Sequence, residues 1–196
     1  MIQIFGYGSL VNKSTWNFQT QMKQVELKGW TREWRQIVKL QGKEICALSI
    51  APQPTSSIQG ILLMSNKSIH DTLNNREIGY QTLSLNPETI FPPSCSNPIK
   101  ISKETSDIIT FAASESSKEW ARKDAPILLS YIDVVVKGYF DLFGRKGVFD
   151  FFKSTKGWDL PILNDRKDPL YPRSIHLPKD FLNFIDEQII VHTKKK

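Results

Sequence analysis

Apolar residues recur along the first two thirds of the chain in short, β-branched runs, which predict strands over 2–5, 24–28, 36–40, 44–50 and 59–64. Turn formers at Gln41-Gly42-Lys43 and a loop at Pro52 and Pro54 separate them. The pattern then becomes helical, opening near Ser65 or Asn66, with Ile69, Leu73 and Ile78 on one face and Gly79 at the end. Further strands are predicted over 80–85, 99–102 and 107–113. A helix follows over about 125–143, with Pro126 in its first turn and Gly144 just past its end. Two more helices are predicted near 148–154 and 179–190. Early strands, late helices and few strand–helix alternations define an α+β class rather than a doubly wound sheet. A chain of 196 residues is the length of one domain, 1–196, with an irregular Pro- and Arg-rich segment at 156–178 and a basic tail at 192–196. An aperiodic stretch of that length inside a compact domain is often functional.

Composition narrows the class further. An apolar fraction of 40% excludes a disordered chain. No apolar run approaches the roughly 20 residues a membrane helix needs, so no membrane partner is expected. The start, from Met1 to Phe5, has neither a basic n-region nor a small-residue cleavage site, and a cytoplasmic location is expected. Cys46 and Cys95 lack a CxxC partner or a neighbouring His; both thiols are expected free, with no metal site. Half of the net charge of +6 sits in Lys194-Lys195-Lys196, and the other basic residues are scattered among acids. That is the charge of a solvated surface, and no nucleic-acid partner is expected. Around Trp30, Arg32, Trp34 and Arg35 the pattern suggests a strand with a basic exposed face and an aromatic inner one.

Three elements carry candidate chemistry. Phe5-Gly6-Tyr7-Gly8-Ser9-Leu10 is a strand emptying into a Gly-flanked turn. Its glycines permit positive φ and close approach of a ligand, and successive N–H groups there can form an anion-binding nest. A plain strand-to-loop turn is the alternative. It is neither a P-loop nor a dinucleotide fingerprint. In Arg76-Glu77-Ile78-Gly79-Tyr80, Glu77 falls at a helix C-terminus, where the dipole and partial burial disfavour the charged carboxylate and bring it toward a general base. The alternative is a surface Glu paired with Arg76. Tyr131, in Pro126-Ile127-Leu128-Leu129-Ser130-Tyr131, stands either at a site or as a core aromatic.

In this order the three elements resemble the γ-glutamylcyclotransferase-like family, which includes γ-glutamylamine cyclotransferases, ChaC-type enzymes and AIG2-like proteins. The resemblance runs from residue 1 to about 143, and Tyr7-Gly8-Ser9-Leu10 is its most specific part. It implies a small mixed β-barrel flanked by helices. It also implies an enzyme that cyclises a γ-glutamyl group to 5-oxoproline and releases the attached amine. Glu77 would be the general acid/base; Tyr7, Gly8, Ser9, Leu10 and Tyr131 would bind a small γ-glutamyl substrate, with no cofactor and no metal. Glutathione-acting members usually carry one more residue between the Glu and the Gly-Tyr pair, and a Trp soon after the loop. Here Glu77-Ile78-Gly79-Tyr80 is shorter and Val11-Asn12 follow the loop, so glutathione specificity is not implied. The competing function is a non-catalytic member of the same fold that binds an acidic ligand or a protein partner. In the C-terminal part, Arg166 and Arg173 suit bidentate binding of a carboxylate or a structural ion pair.

Overall fold

The computed structural model describes residues 2–77, 79–93, 95–99, 107–114 and 119–193. Its nine strands are β1 (Ile2–Gly6), β2 (Met22–Leu40), β3 (Lys43–Ser65), β4 (Tyr80–Ser84), β5 (Ile90–Phe91), β6 (Asp107–Ala113), β7 (Ile127–Leu128), β8 (Thr155–Lys156) and β9 (Ile162–Leu163). Three α-helices accompany them: α1 (Lys67–Arg76), α2 (Leu129–Lys153) and α3 (Lys179–Thr193). The main sheet runs β4-β6-β1-β3-β2-β5, with β1 parallel to β6 and antiparallel to β3. This mixed sheet curls into a half-barrel, with the helices mostly C-terminal, as expected for the α+β class.

Side-chain alternation assigns the two faces of the sheet. Ile4, Ile61, Leu63, Ile109 and Phe111 cluster with Ile69 and Leu73 of α1. Their neighbours Phe5, Leu62, Ile108 and Ala112 belong to the larger core shared with α2. Two opposite helices are therefore held by the period-2 pattern of the same strands.

Several element boundaries differ from those the sequence predicts. β2 and β3 are each one long strand rather than two, paired antiparallel with register shifts between Lys28 and Trp30 and between Trp34 and Gln36. At the first shift Gly29 alone stands opposite Gln53, Pro54, Thr55 and Ser56, so Pro54 falls where the ladder asks nothing of its missing N–H. The long helix starts at Leu129. Pro126 lies before it in extended chain, where its carbonyl accepts from Cys46 N (2.9 Å) and Ile127 N donates to Pro161 O (3.0 Å). The helix then continues to Lys153 through a break at Gly144, whose φ of 64° is left-handed, so the separately predicted 148–154 helix is its second half. The predicted 99–102 strand, Ile78 and the last three lysines lie wholly or partly outside the described residues.

The face predicted for the Trp30 region is also corrected. Arg32 and Trp34 are both completely buried and share one inward side of β2, so no basic exposed face forms there. Arg32 is kept inside by polar partners: its Nε donates to Tyr7 O (3.2 Å), its Nη1 to Ser154 Oγ (2.7 Å), and its Nη2 reaches Gln59 O and the Tyr139 hydroxyl. Cys46 and Cys95 are both free, the first buried and the second exposed. Burial pushes the Cys46 thiol up to about 12.

Candidate active site

The loop after β1 turns as a short 3-10 helix at Ser9–Val11. Val11 N and Asn12 N close back on Gly8 O and Ser9 O, each at 3.0 Å, but the N–H groups of Gly8, Ser9 and Leu10 have no acceptor among the described residues. The peptide that precedes them is anchored on its carbonyl side, since Tyr7 O receives Arg32 Nε and lies 2.9 Å from the Tyr139 hydroxyl. In a trans peptide C=O and N–H point opposite ways, so this anchorage aims Gly8 N–H away from the Arg32 cluster. A run of such free N–H groups is an anion site. The loop's exit is clamped as well: Asn12 Nδ2 donates to Val134 O at 2.9 Å, and Gly138 of α2 lies against the Asn12 backbone.

Positive φ is not what the loop glycines supply. Gly8 has φ −110°, and Gly6 is not among the residues with positive φ. Close approach is what excludes a side chain. A Cβ on Gly8 would stand 2.9 Å from the Tyr131 hydroxyl, and one on Gly6 2.9 Å from Leu10 Cβ.

Glu77 is the C-cap of α1, its N–H donating to Leu73 O at 2.9 Å. Its side chain is 17% exposed and faces the same recess as Gly8, Ser9, Leu10 and Tyr131. Burial raises the pKa of this carboxyl above the ordinary carboxylate range, against the opposing pull of Arg76 and, further off, Arg173. Arg76 joins the two halves of the site. Its Nε lies 3.1 Å from Glu77 Oε1, its Nη2 donates to Ser9 Oγ at 2.9 Å, and its Nη1 donates to Thr15 O at 3.1 Å. Glu77 thus pairs with Arg76, as one sequence alternative has it, but inside a cavity rather than at the surface.

Three tyrosines wall the recess and differ in their hydroxyls. Tyr7 OH donates to Phe111 O at 2.6 Å and Tyr80 OH to Leu48 O at 2.7 Å. Tyr131, in the first turn of α2, donates to none of the described residues, so its hydroxyl is available to a ligand. Its ring meets Trp34 edge-on at 5.8 Å and Tyr171 at 4.9 Å. Burial raises the pKa of all three phenols, so they are neutral donors at neutral pH.

The six residues predicted for the site therefore line one recess, which measures about 30 Å³, space for a few water molecules. Ser9, Glu77, Tyr80 and Tyr131 also wall a wider outer chamber of about 350 Å³, which Tyr171, Pro172 and Arg173 line as well. Sequence reasoning assigns no functional role to Arg76, Tyr80 or Tyr171. The one signal for them was their neighbours: Arg76 and Tyr80 flank Glu77, whereas Tyr171 lies in aperiodic chain that nothing local ties to the site. Arg166 is occupied elsewhere, in a two-pronged contact with Asp133 (2.8 and 2.7 Å) and an ion pair with Asp186 (2.8 Å). Among the described residues, no group of three His, Cys, Asp or Glu is placed to hold a metal ion. No helix among them is long and apolar enough to cross a membrane.

The fold is that of solved γ-glutamyl cyclotransferase structures. One titled "Gamma-glutamyl cyclotransferase" superposes with a TM-score of 0.57 at 14% identity, covering 94% of this chain and 98% of that one. A crystal structure of an uncharacterised human protein, loc79017, gives 0.57 at 15% identity over 94% and 97%. YkqA from Bacillus subtilis gives 0.56 at 15% identity, covering 83% of this chain and 56% of that one. Residues 2–132 match the family described as ChaC-like protein, and the chain belongs to that family. No curated protein matches the sequence.

Proposed function

We propose that the protein is a γ-glutamyl cyclotransferase with Glu77 as its general acid/base. The observation that carries this reading is one recess holding both a buried carboxyl with a raised pKa and three N–H groups without acceptors. Membership of the ChaC-like family and the fold shared with a γ-glutamyl cyclotransferase support it. In a γ-glutamyl compound the α-nitrogen can reach its own γ-carbonyl carbon and close a five-membered ring. Holding that one rotamer removes several kcal/mol, on the order of an effective-molarity gain, from the barrier.

The α-ammonium first loses a proton to Glu77. The freed lone pair forms the new C–N bond, and the γ-oxygen becomes an oxyanion in reach of Gly8, Ser9 and Leu10 N–H. Collapse breaks the bond to the departing nitrogen, which takes the proton back from Glu77. The ring nitrogen, still carrying two protons after the attack, gives one to the regenerated Glu77 carboxylate, which passes it to the departed nitrogen. The products are 5-oxoproline and the amine as its ammonium ion, with atoms and charge balanced. Tyr131 contributes a neutral donor to the bound γ-glutamyl group. Arg76 positions Glu77 and Ser9 with respect to one another.

The test is release of 5-oxoproline from a panel of γ-glutamyl compounds, glutathione included, by the parent protein and by Glu77→Gln. Loss of the base should lower turnover about 10²- to 10⁴-fold, with a much smaller change in KM. A folded Glu77→Gln protein with near-parent turnover assigns the proton transfer to another group.

A further inference from the structure

The outer chamber differs chemically from the recess it feeds. Its walls are Val38 and Leu40 of β2, Ile45 and Ala47 of β3, and Tyr171 from the segment beyond β9. Three cations also line it: Arg76, which is paired with Glu77, and Lys39 and Arg173, neither of which forms an ion pair or a hydrogen bond among the described residues. Arg166, seven positions before Arg173, is by contrast saturated by two aspartates. Glu77 is the one acid among the described residues that line the chamber, and it also lines the recess. An occupant that enters past Glu77 therefore meets an apolar surface and, at its margin, two unpaired positive charges.

Resting on the cyclotransferase reading, we propose that this chamber holds the leaving amine and selects a bulky apolar α-amino acid, whose side chain lies on Val38, Leu40 and Ile45 and whose carboxylate is met by Arg173 and Lys39. The substrate class is then a γ-glutamyl peptide ending in an aliphatic or aromatic residue. A glycine leaving group leaves the apolar wall uncovered. An amine without a carboxylate leaves both cations unmatched.

Four compounds test this: γ-glutamyl-leucine, γ-glutamyl-phenylalanine, γ-glutamyl-glycine, and γ-glutamyl-isopentylamine, the leucine compound without its carboxylate. The expected kcat/KM for leucine and phenylalanine exceeds that for glycine by about 10- to 100-fold, the scale on which an apolar pocket discriminates several methylenes. Leucine should also exceed isopentylamine by about 10-fold, a charge-assisted contact at a partly open site. Val38→Ser should narrow the leucine-to-glycine ratio, and Arg173→Gln with Lys39→Gln the leucine-to-isopentylamine ratio. These ratios cancel any change the variants make to Glu77 itself. Similar kcat/KM for all four compounds, or a preference for glycine or isopentylamine, overturns this proposal and leaves the cyclotransferase reading standing. Release of 5-oxoproline from none of the four, with glutathione or another γ-glutamyl compound cleaved, overturns this proposal alone; release from none of the γ-glutamyl compounds overturns both.

Discussion

At the scale of single residues, Glu77 carries an opposition between stability and chemistry. Its carboxyl titrates above the unfolded value of about 4.3, because burial outweighs the attraction of Arg76 and Arg173. Between the two pKa values the folded chain binds the proton and the unfolded chain does not. Stability therefore falls as pH rises from about 4.3 through the folded pKa, and the deficit persists above it. Glu77→Gln removes that deficit, so the variant should melt above the parent near neutral pH, and the difference should close as pH falls toward about 4. Thermal unfolding by circular dichroism at the two pH values checks it. A lower melting temperature at neutral pH would mean that the contact with Arg76, at 3.1 Å, outweighs the burial. The same substitution is thus expected to gain stability while losing turnover.

At the scale of elements, α2 begins without a cap of its own, since Leu128 offers no side-chain acceptor. Asp165 supplies one from 35 positions away: its Oδ1 accepts Ser130 N at 2.9 Å and its Oδ2 accepts Ser130 Oγ at 2.6 Å. The same Oδ2 accepts Leu170 N at 2.9 Å, fixing the chain that goes on to Tyr171 and Arg173. Asp165→Ala should lower unfolding free energy by about 1–2 kcal/mol, the value of a lost cap. It should also lower kcat/KM, because the wall of the outer chamber loses its tether; denaturant titration and the 5-oxoproline assay read the two effects. No local pattern announces a cap supplied at such a distance, and 156–178 accordingly reads as irregular from sequence. What the sequence disclosed was local: β6 has the predicted ends, Asn66 caps α1 through Ile69 N, and Glu77 sits at that helix's end. It concealed what long-range pairing decides. β2 and β3 run on through a Gly29 bulge and two prolines because each strand has the other as its partner over nearly its whole length. Arg32 reads as surface by its charge, and only the carbonyls assembled around it from distant segments make its burial tolerable.

Those carbonyls belong to the molecule as a whole. Arg32 on β2 donates to Tyr7 O in the loop after β1, to Gln59 O on β3 and to Ser154 at the end of α2, and its guanidinium lies 4.9 Å from the Tyr139 ring centroid and 5.3 Å from that of Phe151. None of these partners is a carboxylate, so the charge is balanced by dipoles and ring faces rather than by an opposite ion. The cluster fastens sheet, helix and loop at one point, directly behind the peptide that presents Gly8 N–H. Arg32→Met keeps apolar bulk and removes a buried charge, a change that by itself is often neutral or stabilising. It also leaves Tyr7 O and Gln59 O with the single proton of Tyr139, which lies 2.9 and 2.8 Å from them. One buried acceptor goes unpaired, a loss of about 1–3 kcal/mol. Because the Tyr7–Gly8 peptide is then held from one side only, the N–H proposed to meet the oxyanion loses its fixed direction, and kcat should fall more than KM rises. Arg32→Lys, with one ammonium in place of a fork, should restore part of the stability but little of the turnover. Unfolding curves beside steady-state kinetics for the two variants separate these effects. Full turnover in a stable Arg32→Met protein would show that the loop keeps its direction without the arginine, and that the cluster serves the fold alone.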